Sequence, residues 1–454
     1  MRDFSDLEGF ILEKMRQSKI PGLSLSIVEG EKVTYSRGFG FRDLSSGIQT
    51  TPRTLYGIGS VTKSFTALGI MQLVERGKIR LDDPVEKYVP LKLRPFGVPV
   101  KIHHLLTHSS GLPDLDYATG STSTMLELDM GWLPVAKAED VITFMQDANE
   151  WAVTKPGERF FYLNEGYVLL GYILSKLSGM TYDEYIQERI LQPLGMTRTY
   201  FSKADVSVDN DRSAAYIVDK EGRHIETQFP YYGVNSDGGL VSNVLDLSNY
   251  LGMCMNGGAF GGKRLVSKRS FELMVQPHIR LHQQVFGDDS YGYGWGITPD
   301  FFGYKLVDHG GSVLVHTAYL GYLPKKKLGV ALLCNSDAPT NDIGRYVLAQ
   351  LAGVNPKELP FMKTEKVLRR IEGEYETYKR TSKASIRTAG GILYMIFNYR
   401  YGEEKTPYFP EKLEENHATF YTIGPGNVKS ILDFRWKGSK VELVGERGKW
   451  IKSS

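Results

Sequence analysis

The chain is poor in the features that would assign it to several large classes. Its 454 residues include only two cysteines, Cys254 and Cys334. A pair so far apart suits neither a disulfide framework nor a metal site, so two buried free thiols are expected. No apolar run is long enough to cross a bilayer. Lys and Arg number 55 against 52 Asp and Glu, and no basic block stands out. Charge therefore gives no support to nucleic-acid binding. Internal repeats and low-complexity tracts are lacking, and so is the Gly-x-Ser-x-Gly elbow of an α/β-hydrolase. The glycine-rich stretch 257–262 has no Lys-Ser/Thr partner, so it reads as a surface turn and not a phosphate loop.

What is present points to a soluble chain of two domains, because this length exceeds what one hydrophobic core usually supports. Phe4, Leu7, Phe10, Ile11, Leu12 and Met15 recur at helical spacing among charged residues. That predicts an amphipathic surface helix and not a signal peptide, and with it a cytoplasmic protein. Gly22 to Val28 and Lys32 to Gly38 read as a β-hairpin. From Ser60 to Arg76 the sequence turns helical, and Gly77 supplies the stop. Residues 80–210 read mostly as helix and loop, with helices near Ala138–Asn149 and Gly166–Ser178. Val313–Leu320 and Leu328–Leu333 return to strand character, and 342–351 closes the region as a helix. The layout predicts an α/β (α+β) domain whose sheet is built from both of its ends, with a helical insertion between.

Gly353 to Pro360 carries two prolines and little apolar periodicity, which suggests a linker over 353–363. From residue 364 to 454 short β-branched and aromatic runs alternate with turn signals. About eight such runs predict a small all-β antiparallel barrel. The expected boundaries are 1–352 for the first domain and 364–454 for the second.

Three short motifs carry chemistry. Ser60-Val61-Thr62-Lys63 places an amine one helical turn from a hydroxyl, at a helix start whose backbone N–H groups favour a developing oxyanion. A Ser hydroxyl is a weak nucleophile, and a Lys of ordinary pKa (about 10.4) is a weak base near neutrality. The pair works only where the ammonium is desolvated or crowded by other donors. Composition alone gives ~2 Ser-x-x-Lys matches in this length, and this is the one the chain contains. Tyr162-Leu163-Asn164 precedes a helix: the Tyr hydroxyl could relay a proton, and the Asn amide could bond both Lys63 and substrate. A loop tyrosine and a helix-capping asparagine would look the same. His309-Gly310-Gly311-Ser312 sits immediately ahead of the strand expected over 313–320. Its glycines allow close approach of a ligand, and its imidazole could bind a substrate carboxylate or move a proton. A turn histidine with turn glycines is the structural alternative. His103, His104 and His108 fit no strong zinc spacing and are read as structural.

In this order, SVTK, YLN and HGG resemble the motifs of the serine β-lactamase and penicillin-binding family. They are most similar to its class C-like branch of DD-peptidases, D-aminopeptidases, esterases and CubicO-type proteins. The flanks agree: Tyr56 to Ala67, Leu81-Asp82-Asp83-Pro84-Val85, His104 to Leu112, Gln192 to Met196, Gly238 to Ser242, and Tyr291 to Trp295. The resemblance covers roughly residues 4–352. It implies that Ser60 is acylated, that Lys63 is general base or proton shuttle, that Tyr162 activates or relays, and that Asn164 orients. His309 takes a position that is Lys in many relatives, which argues against a true β-lactamase. The backbone N–H groups of Ser60 and Ser312 would form the oxyanion hole, with Gly310 and Gly311 lining the substrate. No acidic residue is placed like the deacylating Glu of class A enzymes, so Tyr162, Lys63 or His309 would have to activate water.

The implied function is a Ser–Lys peptidase acting on small peptides, with D-residues possible substrates, and with no metal or organic cofactor, nucleic acid or membrane as partner. An esterase on the same scaffold and a non-catalytic binding or assembly protein are the alternatives. The C-terminal barrel more loosely resembles the lipocalin-like barrels appended to some peptidases of this group. A closed homo-oligomer, with an octamer as candidate size, is what that resemblance implies.

Overall fold

A computed structural model describes residues 3–453 except 129–132, 134, 202, 232–234 and 447. The chain divides into two compact units, Met1–Gly353 and Val354–Ser454.

The first unit is organised by a nine-stranded antiparallel sheet. Its strands are β1 (Gly22–Glu29), β2 (Lys32–Asp43), β3 (Ile48–Gln49), β4 (Ile279–Arg280), β5 (Ser290–Tyr291), β6 (Gly296–Phe301), β7 (Tyr304–Ser312), β8 (Thr317–Leu323) and β9 (Leu328–Cys334). The order across the sheet is β4-β5-β6-β7-β8-β9-β1-β2-β3. Strands from the two ends of the unit therefore meet inside the sheet, where Leu23 to Glu29 pairs with Leu328 to Cys334. β8 and β9 are buried at every residue, as strands are when both faces of a sheet are covered. Helix α1 (Ser5–Ser18) buries Leu7, Ile11 and Met15 but leaves Leu12 largely exposed.

The pleat of β8 separates the two faces. Tyr319 lies against Gly344 of a helix over Thr340–Ala352, whereas Leu320 and Tyr322 join the main core with Tyr250 and Leu251 of a helix over Val244–Met255. That core also takes in helices over Thr62–Glu75 and Asn164–Ser178. In chain order these four helices are α2 (Thr62–Glu75), α3 (Asn164–Ser178), α4 (Val244–Met255) and α5 (Thr340–Ala352). The helix near residue 138 is shorter than the pattern suggests, ending at Phe144.

One strand boundary differs from the sequence expectation in a way that matters for function. His309 to Ser312 lies within β7 and ends it; it does not precede a strand starting at Val313. The apolar run Val313-Leu314-Val315 is a turn, with Leu314 at φ +66° and Val313 N–H donating to His316 O at 3.0 Å. Val313 and Val315 are drawn in by tertiary packing while Leu314 stays exposed, so local β-propensity misleads here.

In the second unit, a turn (Pro356–Glu358) and helix α6 (Pro360–Ile371) occupy the stretch expected as a linker. Pro360 at the first position of α6 suits a helix start, so proline here opens an element. Val367, Leu368 and Ile371 face the core of an eight-stranded closed barrel. Its strands are β10 (Gly373–Glu376), β11 (Lys383–Ala389), β12 (Ile392–Tyr399), β13 (Gly402–Leu413), β14 (His417–Gly424), β15 (Val428–Lys437), β16 (Lys440–Val444) and β17 (Lys449–Lys452). Closure comes from Tyr375 pairing with Lys452. Alternating burial in β11 and β16 reflects one dry and one wet face.

Candidate active site

The site is assembled where the end of β7 meets the turn that opens α2. Gly59 to Val61 forms a single 3-10 turn and α2 follows at Thr62. Two glycines permit the contact. A Cβ on Gly59, which sits at φ +51°, would lie 2.6 Å from Ser312 N, and one on Gly311 would lie 2.0 Å from Ile58 O. Both backbones approach within a distance that no side chain allows. Ser60 and Ser312 are thereby carried on adjoining segments.

Lys63 is fully buried, while Ser60 keeps partial access to solvent. Lys63 Nζ donates to Ser60 Oγ at 3.0 Å, to Asn164 Oδ1 at 2.8 Å and to Asp237 O at 2.8 Å. These three acceptors use all the donors of an ammonium. Its charge stands in the first turn of α2, an unfavourable place worth about 0.3–1 kcal/mol against the helix dipole. Hydrogen bonds from charged groups contribute about 1.5–3 kcal/mol each, so the three acceptors outweigh the dipole. The amine also lies 4.9 Å from the ring centre of Tyr162 and 5.7 Å from that of Tyr167, within cation–π range.

Asn164 is the first residue of α3, and its side chain holds Lys63 on one side and donates to Asp114 Oδ2 at 3.4 Å on the other. Behind it lie Glu165 and Asp237. Burial first, and then the neighbouring charge of Asp114, push the Glu165 carboxyl up to about 8. Asp237 is raised by burial, opposed by the charge of Lys63. Glu165 Oε2 and Asp237 Oδ1 have no hydrogen-bond partner.

His309 forms the other wall. Its Nδ1 lies 2.6 Å from Gly310 O, an acceptor only, so Nδ1 carries the proton and Nε2 accepts from Tyr291 Oη at 2.8 Å. Burial lowers its pKa to about 4 and keeps the ring neutral. The Tyr162 and His309 ring centres are 6.4 Å apart. Next to His309 opens a cavity of about 380 Å³ lined by Phe160, Leu281, Tyr291, Asn341 and Arg345, whose guanidinium pairs with Asp308 at 2.9 Å. The structure thus brings Ser60, Lys63 and Asn164 into one hydrogen-bonded set and sets Tyr162 and His309 around it.

Several participants escape motif reading. Asp237 contributes a main-chain carbonyl, which no side-chain pattern reveals, although it directly precedes the Gly238-Gly239-Leu240 hallmark. Tyr291, the partner of His309, lies in the Tyr291 to Trp295 run noted above. His103, His104 and His108 turn to different partners: Tyr293 Oη at 2.8 Å, Lys101 N–H at 3.1 Å and Leu163 N–H at 2.9 Å. Among the described residues no group of three or more His, Cys, Asp or Glu could hold a metal ion. Cys254 and Cys334 are buried and unpaired.

A sheet flanked by helices, with Ser and Lys one turn apart and Asn164 closing on the amine, defines a β-lactamase-like serine hydrolase site. The family profile described as Beta-lactamase matches residues 7–353, and the chain belongs to that family. A second profile, described as the Pab87 octamerisation domain, matches residues 356–451. Protein flp of Staphylococcus aureus (strain COL) is 27% identical over 336 residues, 72% of this chain and 62% of that protein. Penicillin-binding protein 4* of Bacillus subtilis (strain 168) is 29% identical over 304 residues, 62% of this chain and 61% of that one. The chain thus spans less than two thirds of the length of these curated relatives. The solved structure of the octameric penicillin-binding protein homologue from Pyrococcus abyssi superposes with a TM-score of 0.94 at 49% identity, covering 99% of this chain and 100% of that one.

Proposed function

We propose that this protein is a Ser–Lys peptidase that cleaves small peptides through an acyl-enzyme on Ser60. The observation that carries the reading is the buried Lys63 amine held 3.0 Å from the hydroxyl of a half-buried Ser60. Ser60 Oγ adds to the scissile carbonyl carbon as its proton passes to whichever of Tyr162 and Lys63 has first released a proton of its own to solvent. The oxyanion is received by the N–H groups of Ser60 and Ser312. Collapse of the tetrahedral adduct breaks the C–N bond, and the amine departs with the proton. Water then attacks the acyl-enzyme, with Tyr162 or Lys63 taking its proton, and Ser60 is regenerated. His309 and Asn164 orient the substrate between them. The adjoining cavity of about 380 Å³ is at the small end of ligand sites, which favours short peptides. The motif resemblance to D-aminopeptidases favours D-residues at the cleaved bond.

The assembly proposed is a closed homo-octamer, supported by the match of the second unit to an octamerisation domain and by the octameric homologue. A cytoplasmic setting is favoured by the two buried, unpaired thiols.

The test is paired hydrolysis of short D- and L-peptides, the esters of the same acyl groups, and a penicillin, each with wild type and Ser60→Ala. Amide hydrolysis that disappears in Ser60→Ala is expected, together with a covalent penicillin adduct on wild type. Ester turnover without amide turnover would replace the peptidase with an esterase. Undiminished turnover in Ser60→Ala would reject both. Light scattering should give eight chain masses, and one chain mass would remove the octamer.

A further inference from the structure

We propose that His108 is a positioning residue that holds the Tyr162 phenol against Lys63. The inference rests on the reading of Tyr162 as the proton carrier of the site.

Tyr162 lies on a segment without regular structure, just ahead of α3, and something must fix it. The loop from 153 to 163 runs beside residues 108–111. Val153 N–H donates to Gly111 O at 2.9 Å and Gly157 N–H to Ser109 O at 2.7 Å. Gly111, at φ +86°, lets the two chains touch, since a Cβ there would stand 2.2 Å from Thr154 O. At the far end both peptide N–H groups that flank Tyr162 finish on one residue. Phe161 N–H donates to His108 O at 2.7 Å, and Leu163 N–H donates to His108 Nδ1 at 2.9 Å. The imidazole then stacks on the phenol between them, with ring centres 4.1 Å apart and planes 27° from parallel. Tyr162 is gripped before, after and across its ring by a single side chain and its carbonyl.

Core packing does not by itself ask for histidine here. The residue is buried and sits at φ +55°, a conformation most side chains avoid. Accepting through Nδ1 puts the proton on Nε2, and Nε2 is buried with no hydrogen-bond partner. A phenyl ring would fill the same space without an orphaned donor. What imidazole adds is the acceptor for Leu163 N–H. Burial, and then the charge of Lys63, hold the ring's pKa well below 6.5, which leaves Nδ1 free to accept. Nε2 is sealed from the cleft, so His108 acts through Tyr162 and touches no reacting atom.

The test is a double-mutant cycle read on the rate at which a fluorophosphonate modifies Ser60, separated into the saturating rate and the half-saturating concentration. His108→Phe keeps the ring stack and loses the acceptor. His108→Asn keeps an acceptor at the same point along the side chain and tolerates positive φ. Each is made alone and with Tyr162→Phe, with thermal melting as a check of folding. Tyr162→Phe is expected to slow the saturating rate by about 10²–10³-fold. His108→Phe should slow it about 10-fold or more with the half-saturating concentration within about twofold, and His108→Asn should recover most of that loss. In the Tyr162→Phe background neither change at His108 should cost more than about twofold, because the group it positions is gone. Should His108→Phe fail to fold, the smaller loss in His108→Asn is subject to the same non-additivity. Full additivity, or wild-type rates in a folded His108→Phe, overturns the inference alone. An undiminished rate in Tyr162→Phe removes the proton-carrier reading and the inference with it.

Discussion

On the Lys63 side of the cleft a buried amine is bonded to three acceptors, with carboxyl groups of Asp114, Glu165 and Asp237 close behind. On the His309 side a neutral ring is held by one phenol and one carbonyl. The amine of the first wall is held through its charge, and the imidazole of the second by aromatic packing and neutral hydrogen bonds. Charge-assisted bonds in a dry site are individually stronger than neutral ones, so the two walls should respond differently to substitution and to pH.

The largest effect is expected at Lys63. Lys63→Met removes the donor to Ser60 and leaves Asn164 Oδ1 and Asp237 O without it, and turnover should fall about 10⁴-fold, the upper end for general acid–base groups. Steady-state kinetics on any substrate the wild type cleaves will show it. A loss below tenfold would erase the contrast between the walls. His309→Gln should cost less, about tenfold, and mainly in substrate affinity, because a neutral amide can replace one of the ring's two hydrogen bonds. A loss as large as that of Lys63→Met would put the proton chemistry on the wrong wall.

The two walls also predict opposite limbs of a stability profile. Glu165 keeps a proton in the folded state up to about 8 that an unfolded Glu releases near 4.5. Folded protein binds the extra proton in that window, so stability falls as pH rises through it. Glu165→Gln should therefore raise the melting temperature by several degrees at pH 9 and change it little at pH 5. His309 and His316, each lowered from 6.5 to about 4 by burial, act in reverse. The unfolded chain gains protons first, so their contribution is present above 6.5 and is lost as pH falls towards 4. Melting temperatures from pH 4 to 9 should peak near pH 6–7. A profile still rising at pH 9 in wild type, or equal melting of Glu165→Gln and wild type at pH 9, would contradict the buried carboxyl cluster.

The sequence is most readable where short-range spacing carries geometry. One helical turn places Lys63 beneath Ser60, and Asn164 opens the helix that its flanking apolar run announces. Barrel strands betray themselves by turn residues and alternation, so their number could be read. Legibility fails where partners are remote or lie in the main chain. Asp237 O, the grip of His108 on Tyr162, and the Asp114–Glu165 pair join residues 51–174 positions apart, beyond the reach of any local motif. Val313 to Val315 misleads for a related reason, since its two valines are buried by the surrounding unit while the backbone turns at an exposed Leu314. Helix α6 is hidden by Pro360, which opens the helix although it reads as a break.

The central claim is an activated Ser60 whose reactivity depends on Lys63. Intact mass after brief exposure to a fluorophosphonate tests it on wild type, Ser60→Ala and Lys63→Ala. One adduct per chain on wild type, absent from both variants, is the result the account predicts. No adduct on folded wild type, or an adduct on Lys63→Ala formed as fast as on wild type, would contradict it.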